Sequence, residues 1–458
     1  MTYTLFISFI VIIFIRSIIS NFWLFFVLRW LSTNSQKVRL QTNKNEYNFI
    51  LLIPVLREQK IIIRTIKHFL RLNYNKKNLK IFFISTEKEF EKSGKNEENT
   101  IDIIKKLQQK TNNIHGLNLI ELLHYPDQNG KMVDQLNFAF DHILTNNINL
   151  NKTFVGIYNA DSRPNFNTLN TISQMANKSN CKIYQQSAVF FDNFNELKNN
   201  NNFLTEKLLK TNSLLQTRWT LVHEIPRFIM QSYFLNKFNK KLFLSHCVGH
   251  GLFIQGNFLQ EIRKMPDKTL TEDLFFGYIL SLLGKSINPL PIMESAEMPN
   301  KFILSLKQKY IWFFGPLEHF AYQKYFKENF RNAASSLLLN WFTFQGIFSA
   351  FAWILSGWML LYIFLYPILS GNYNLIPWSL IVFILYAPFS YFVILSKYKF
   401  LNNLCSKKNE ISLMEYFWSF VFSLPTAIIH SIPPIFSVLA KIKSKITNVQ
   451  PQKPKTER

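Results

Sequence analysis

The sequence predicts an α/β domain with a mainly parallel sheet, flanked by transmembrane helices. Three observations carry that expectation. Short apolar runs alternate with amphipathic stretches between residues 48 and 158, which is the pattern of βαβ units. The 458 residues are 48% hydrophobic, and the apolar ones gather at the two ends in runs long enough to cross a bilayer. Neither a GxGxxG turn after the first strand nor a GxxxxGK[ST] loop is present, so dehydrogenase and P-loop kinase readings lose ground.

Thr4–Leu28 is long enough to span a membrane. It lacks a preceding basic region and a small-residue cleavage site, so residues 1–30 are expected to form an uncleaved anchor. Arg16 stands near the middle of this span, which is costly unless it snorkels toward the interface or faces another helix, and snorkelling is the expected solution. Arg29, Lys37, Arg39 and Lys44 follow, which places the central domain, residues 45–315, in the cytoplasm. In the C-terminal part, residues 316–440, Phe342–Ile368 and Trp378–Leu395 are expected spans. Gly371–Pro377 between them is uncharged and expected outside, whereas Ser396–Asn409, with Lys397, Lys399, Lys407 and Lys408, is expected inside. Leu413–Leu439 is expected to break at Pro425, Pro433 and Pro434 and to form a re-entrant or interfacial hairpin. A basic tail, 441–458, follows and is expected to be disordered.

The formal net charge is +24. Much of it is lysine scattered among asparagine and isoleucine, with no basic motif interleaved with aromatic residues, so nucleic acid is not an expected partner. A basic face does suit anionic membrane lipids and a phosphorylated substrate. Cys181, Cys247 and Cys405 have no metal-ligand spacing and read as reduced thiols.

In the central domain Asn48–Pro54 reads as a buried strand. Glu58–Leu72 follows as a helix with Ile62, Ile66 and Phe69 on one face. Lys80–Ser85 reads as strand, Asn99–Gln109 as helix and Leu117–Leu123 as strand. Gly130–Leu144 reads as helix because Met132, Leu136, Ala139, Phe140 and Ile143 fall at helical spacing. Thr153–Tyr158 is a strand buried on both faces, and Pro164 is expected to open the next helix.

Between that strand and Pro164 stand Asn159, Ala160 and Asp161. In an open parallel sheet, ligands bind beyond the carboxyl ends of the strands, where a carboxylate can hold a divalent cation against a diphosphate. A plain turn and helix cap fits the same residues. Gly249, His250 and Gly251 allow close backbone approach to a ligand, or form an ordinary loop. Lys268–Leu283 reads as a helix whose Thr269 and Glu272 have capping-box spacing. That cap accounts for Glu272 but not for Asp273, a carboxylate able to take a proton from a substrate hydroxyl. In Glu297–Gly315, Gln308 and Trp312 share a helical face. Trp312, Phe313 and Phe314 are expected in a membrane-interface belt, with Trp312 alternatively walling a sugar channel.

The order of these motifs resembles the membrane-bound family 2 glycosyltransferases, the GT-A group of nucleotide-diphospho-sugar transferases that includes cellulose, hyaluronan and poly-N-acetylglucosamine synthases. The likeness runs from about Asn48 to Gly315 and on into the membrane segments. Pro54 and Glu58 match the family's Pro-x-x-x-Glu, and Gly130 and Lys131 its Gly-Lys. Asn159-Ala160-Asp161 matches its Asp-x-Asp, and Gly249-His250-Gly251 its acceptor loop. Thr271-Glu272-Asp273 is its Thr-Glu-Asp, and Gln308 with Trp312 matches its Gln-x-x-Arg-Trp. Three positions depart. Asn159 replaces an Asp; Ser85, Thr86 and Glu87 stand where an acid usually contacts the nucleotide; and Ile311 replaces the Arg associated with processive synthesis.

The resemblance implies an inverting transferase of the bacterial inner membrane, multi-pass, with its catalytic domain in the cytoplasm. Its donor is implied to be a nucleoside-diphosphate sugar, of the UDP type, contacted by Pro54, Glu58, Thr86, Lys131, Asn159 and Asp161. Mg2+ or Mn2+ is the implied cofactor, on Asp161 and Asn159. Asp273, with Glu272 beside it, is the implied base, and Gly249, His250, Gly251, Gln308 and Trp312 border a lipid-linked or growing glycan acceptor. Membrane lipids and an export or regulatory subunit are further implied partners. A processive polysaccharide synthase and an inactive membrane scaffold of the same fold are the alternatives, the second because of Asn159. A transporter fits less well, because a hydrophilic domain holds half the chain.

Overall fold

The structure is a computed structural model that describes residues 2–39, 47–92, 98–128, 130–146, 148–331, 333–406 and 411–447. Lys44, Lys407, Lys408 and the tail from residue 448 onward lie outside the described residues.

Among the described residues, ten strands form two sheets: β1 Asn48–Pro54, β2 Leu79–Thr86, β3 Ile120–Tyr125, β4 Thr153–Ile157, β5 Arg163–Pro164, β6 Ile183–Gln185, β7 Ala188–Val189, β8 Leu252–Gln255, β9 Asn288–Pro289 and β10 Glu294–Ser295. Seven make the central sheet in the order β3-β2-β1-β4-β8-β6-β9, and β5-β10-β7 make a small one. The sheet is mainly parallel. β1 pairs in parallel with both β2 and β4, β2 with β3, and β6 with β9, and only β8 runs antiparallel to its neighbours.

Strand periodicity explains the two cores. Phe49, Leu51 and Ile53 face one side and pack with Ile62, Ile66 and Phe69 of the Ile62–Leu70 helix and with Leu169 and Ile172. Ile50 and Leu52 face the other side, against Leu136 and Phe140 of the Met132–Thr145 helix and Phe276 and Leu280 of the Glu272–Leu282 helix. Both faces are covered, which is why the strand sequences are continuously apolar instead of alternating.

Among the described residues, four helical stretches are long and apolar enough to cross a membrane: Thr2–Lys37, Ser336–Leu369, Tyr373–Ser396 and Leu413–Thr447. They do not stand apart. Leu24 and Leu28 of the first helix share one core with Leu360, Ile363, Val382 and Ile394 of the C-terminal helices and with Leu214 and Leu221. The last two belong to a long helical rod, Phe203–Trp219, Thr220–Glu224 and Ile225–Phe238, whose middle segment is a π-turn. Pro226 lies just beyond that turn and has no N–H to continue the α ladder, which accounts for the wider turn.

Local expectations fail at several places. Pro164 does not open a helix. It pairs with Glu294 across the small sheet, and the helix starts only at Thr168, after Asn165 Oδ1 accepts the Asn167 N–H at 2.8 Å. Arg16 does not snorkel, because its Nη1 donates to the Ala352 carbonyl at 2.9 Å on a neighbouring span. Pro425 lies inside the Leu413–His430 helix, and the break comes at Ser431, ahead of Pro433 and Pro434. Phe313 and Phe314 are buried in protein, so they form no lipid-facing belt, whereas Trp312 is 39% exposed. Thr269 and Glu272 form no capping box, since Thr271 occupies the cap position.

Candidate active site

The carboxyl ends of β1, β2 and β3 converge on the segment that leads into the Met132–Thr145 helix. β1 ends at Pro54, and the following loop turns through Arg57, whose φ is +54°. A bulky residue tolerates that conformation only when its surroundings fix it. Glu89, fully buried, does so, its carboxylate accepting the Arg57 N–H at 2.6 Å and the Thr100 N–H at 3.0 Å. Thr100 Oγ1 in turn accepts the Glu58 N–H at 2.8 Å. Thr86 at the end of β2 donates to the Asp127 carbonyl at 3.2 Å, and Lys88 Nζ donates to the Gly130 carbonyl at 2.7 Å. Lys131 caps the helix through its backbone N–H on Asp134 Oδ2 at 2.6 Å, and its ammonium reaches the Asp267 carbonyl at 3.4 Å. Pro54, Glu58, Thr86 and Lys131 therefore belong to one group of linked loops at the top of the sheet.

β4 leads directly into the Asn159–Ser162 turn, closed by the Ser162 N–H on the Asn159 carbonyl at 3.1 Å. The antiparallel neighbour β8 brings the 248–251 loop alongside, and Gly251 N–H donates to the Ile157 carbonyl at 2.8 Å. Gly251 has φ +67°, and a Cβ there would lie 2.5 Å from the Gln186 carbonyl oxygen, so glycine is required. The loop is held by two glutamines. Gln185 Nε2 donates to the His250 carbonyl at 2.7 Å and its Oε1 accepts the Val248 N–H at 3.1 Å, while the Gln186 N–H donates to the Gly251 carbonyl at 2.7 Å. At the loop's other end, Gly249 faces the Asp273 carboxylate at the start of the Glu272–Leu282 helix. Glu272 itself is buried.

Two further acids enter from distant sequence. Glu294 on β10 is fully buried, pairs with the His250 imidazole and accepts from Ser162 Oγ at 3.4 Å. Glu224, at the end of the π-turn, is buried, and burial raises its pKa to about 7. Burial alone would lower the pKa of His250, but Glu294, then Glu224 and Asp161, push it up to about 9. His250 is thus an imidazolium at neutral pH, set among carboxylates that include Asp161. Arg163, wholly buried beside that turn, donates to the Ala160 carbonyl at 3.1 Å and the Ser162 carbonyl at 2.8 Å.

The Phe302–Leu317 helix carries Gln308 and Trp312. One turn beyond Trp312, at Gly315, it touches the Thr271 side chain, with space for no Cβ. Ile311 is buried. Gly251 is bonded to the strand that leads into the Asn159–Asp161 turn, and Gly249, two residues before it, lies against Asp273.

Among the described residues, no three His, Cys, Asp or Glu side chains group as a metal site. Magnesium needs less from protein, because it binds through one or two carboxylates together with substrate phosphates and water. The Asp161 carboxylate and an Asn159 amide oxygen are ligand types that could serve such an ion, carried in with a diphosphate. Sequence reading missed Glu294, Glu224, Glu89, Arg163 and the Gln185–Gln186 pair. Only Glu89 had a signal, an acid shortly after the second strand.

The fold is that of GT-A-like glycosyltransferases, joined here to four helices apolar enough to span a membrane. The mannosyltransferase PcManGT from Pyrobaculum calidifontis, solved with GDP-Man and Mn2+, superposes with a TM-score of 0.50 at 11% identity, over 95% of this chain and 99% of that one. TarS 1-349 of S. aureus with UDP-GlcNAc aligns more loosely, with a TM-score of 0.39 at 11% identity, over 88% of this chain and 92% of that one. No family profile matches the sequence, and no curated protein matches it. At such identities the likeness speaks to the fold alone.

Proposed function

We propose that this chain is a membrane-bound, inverting glycosyltransferase that moves a sugar from a nucleoside-diphosphate sugar, of the UDP type, to a lipid-linked or growing cell-surface glycan. The observation that carries this reading is the short path between two acids. Asp161 follows β4, β4 bonds to Gly251, and Gly249 abuts the Asp273 carboxylate.

In this reading Asp273 accepts the proton of an acceptor hydroxyl. The oxygen attacks the anomeric carbon from the face opposite the diphosphate, and the bond from that carbon to the diphosphate oxygen breaks. The nucleoside diphosphate departs with the bonding electrons, and the configuration inverts. Lys131 and the His250 imidazolium provide positive charge for the phosphates, and Glu294 fixes the imidazole's orientation. Pro54, Glu58 and Thr86 line the nucleotide end, Glu272 supports the helix start, and Gln308 and Trp312 border the acceptor. Asp161 and Asn159 would hold Mg2+ or Mn2+, whose charge offsets that of the diphosphate. Arg29 and Lys37, in the C-terminal part of the first helix beyond its most apolar stretch, favour a cytoplasmic catalytic domain, as at a bacterial inner membrane.

The test is nucleotide release by the detergent-purified protein over a panel of sugar nucleotides, with Mg2+, Mn2+ or chelator. Release with one donor, lost on chelation, is the expected result. No release with any donor and either cation would favour a scaffold, the reading that the Asn159 substitution keeps open.

A further inference from the structure

Where the first helix meets the helical rod and the C-terminal helices lies a group of cations that the proposed chemistry does not use. The Arg16 and Arg218 guanidinium groups lie 5.8 and 5.1 Å from the centroid of one ring, Tyr386. Arg218 Nε donates to Ser390 Oγ at 3.1 Å, while its Nη2 is buried with no hydrogen-bond partner. Two turns along the rod, Arg227 donates to Ser349 Oγ at 3.0 Å and meets His246 Nδ1 at 3.3 Å. His223 lies between them, kept neutral by burial and by the charges of Arg16, Arg227 and Arg218. None of the three arginines forms an ion pair with a carboxylate among the described residues. The acid that Arg227 senses is Glu224, whose own pKa burial raises to about 7.

Guanidinium groups without an ion-paired carboxylate inside a membrane protein are costly and mark function by default. Helix stitching alone explains them poorly. Each arginine has about five N–H donors, and the bonds described use one or two of them. Arg16, His223 and Arg227 are half-buried and keep some accessible surface. The group continues toward the candidate site, since His246 stands three residues before Gly249 and Glu224 lies in the field of His250.

We infer that Arg16, Arg218 and Arg227 form a phosphate-binding site for the anionic head of a lipid-borne acceptor, holding it between the membrane and Asp273. This deepens the glycosyltransferase reading and rests on it for the word acceptor, whereas the binding site stands on its own geometry. Phosphate chemistry is chosen because planar guanidinium forks gather here, Arg16 and Arg218 at the Tyr386 ring and Arg227 bonding to Ser349, three residues from the Ala352 carbonyl that Arg16 meets, and such forks match tetrahedral oxyanions.

The experiment uses the full-length protein in phosphatidylcholine nanodiscs and measures binding of dodecyl phosphate, with dodecanol, inorganic pyrophosphate and phosphatidylglycerol as comparators. Dodecyl phosphate should bind at least about tenfold more tightly than dodecanol, the worth of one charge-assisted hydrogen bond, and more tightly than the other two. Arg218→Gln and Arg227→Gln should each remove about tenfold of that affinity, with sugar-nucleotide binding unchanged. Equal binding of dodecyl phosphate and dodecanol overturns the site. Equal binding of pyrophosphate makes it a site for free phosphate, and equal binding of phosphatidylglycerol makes it a bulk-lipid contact; either overturns the acceptor assignment. Should the variants fail to fold, the phosphate-against-alcohol comparison on the native chain still decides. Nucleotide release without dodecyl phosphate binding would sink this inference alone, and binding without any nucleotide release would sink the transferase reading alone.

Discussion

Gly249 and Asp273 touch across two elements that are otherwise unrelated in sequence. A Cβ on Gly249 would stand 3.1 Å from Asp273 Oδ2. The absence of a side chain at one residue therefore sets where the carboxylate of the other can lie. Gly249→Ala should fold normally and bind donor as before, yet turn over about tenfold to a hundredfold more slowly, because the displaced carboxylate no longer meets the acceptor hydroxyl. Steady-state kinetics beside a thermal melt measures both. Unchanged turnover would show that the carboxylate position is not critical.

Asp273→Asn keeps the shape of that contact and removes the base. Transfer should fall by about a hundredfold or more, with donor affinity retained. Near-native turnover in a folded variant would exclude Asp273 as the base.

At the β4 exit turn, Asp161→Ala should weaken divalent-dependent donor binding, measured by titration with Mn2+ or with chelator. Asn159→Asp should tighten it, since a second carboxylate adds charge to the ligand set. Equal donor affinity with and without cation in the native protein would contradict both expectations.

His250 titrates near 6.5 when unfolded and about 9 when folded. Its pairing with Glu294 thus contributes stability that is fully present below pH 6.5 and is lost as pH rises through about 9. Denaturant unfolding between these limits should show declining stability in the native protein and a flatter profile in His250→Gln. Nucleotide release should also decline toward pH 9 in the native protein as the imidazolium is lost. A native profile as flat as that of the variant would remove the pair from the account.

Gly251→Ala forces a left-handed conformation on alanine and drives its methyl to 2.5 Å from the Gln186 carbonyl oxygen. A loss of about 1–3 kcal/mol is expected, readable by denaturant unfolding. An unperturbed midpoint would mean that the loop can re-form elsewhere.

Much of this architecture was legible because burial writes itself into residue type. Asn48–Pro54 was read with its boundaries intact, since a strand covered on both faces has no reason to contain polar residues. The Asn159–Asp161 and Thr271–Asp273 motifs were visible because small clusters of polar residues next to apolar runs stand out. Glu294 and Glu224 were not. Glu294 lies on a two-residue strand with no periodicity to detect, and it reaches His250 only because β10 pairs with β5. Glu224 depends on a π-turn, which shifts helical phase by an amount no pattern of 3.6 residues reveals. The expectations for Pro164 and Arg16 failed for a related reason. Each was judged by local preference, and each is decided by a partner over a hundred residues away.

The bond from Arg16 to Ala352 joins positions 336 residues apart, and Asn21 reaches Ser390 in the same bundle. The Thr2–Arg39 helix can complete these contacts only after Ala352 and Ser390, both in the last quarter of the sequence, have been made, so assembly of the bundle must wait for them. A copy cut short before Ala352 would carry an arginine with no carbonyl to receive it, which makes incomplete chains conspicuous to cellular quality control.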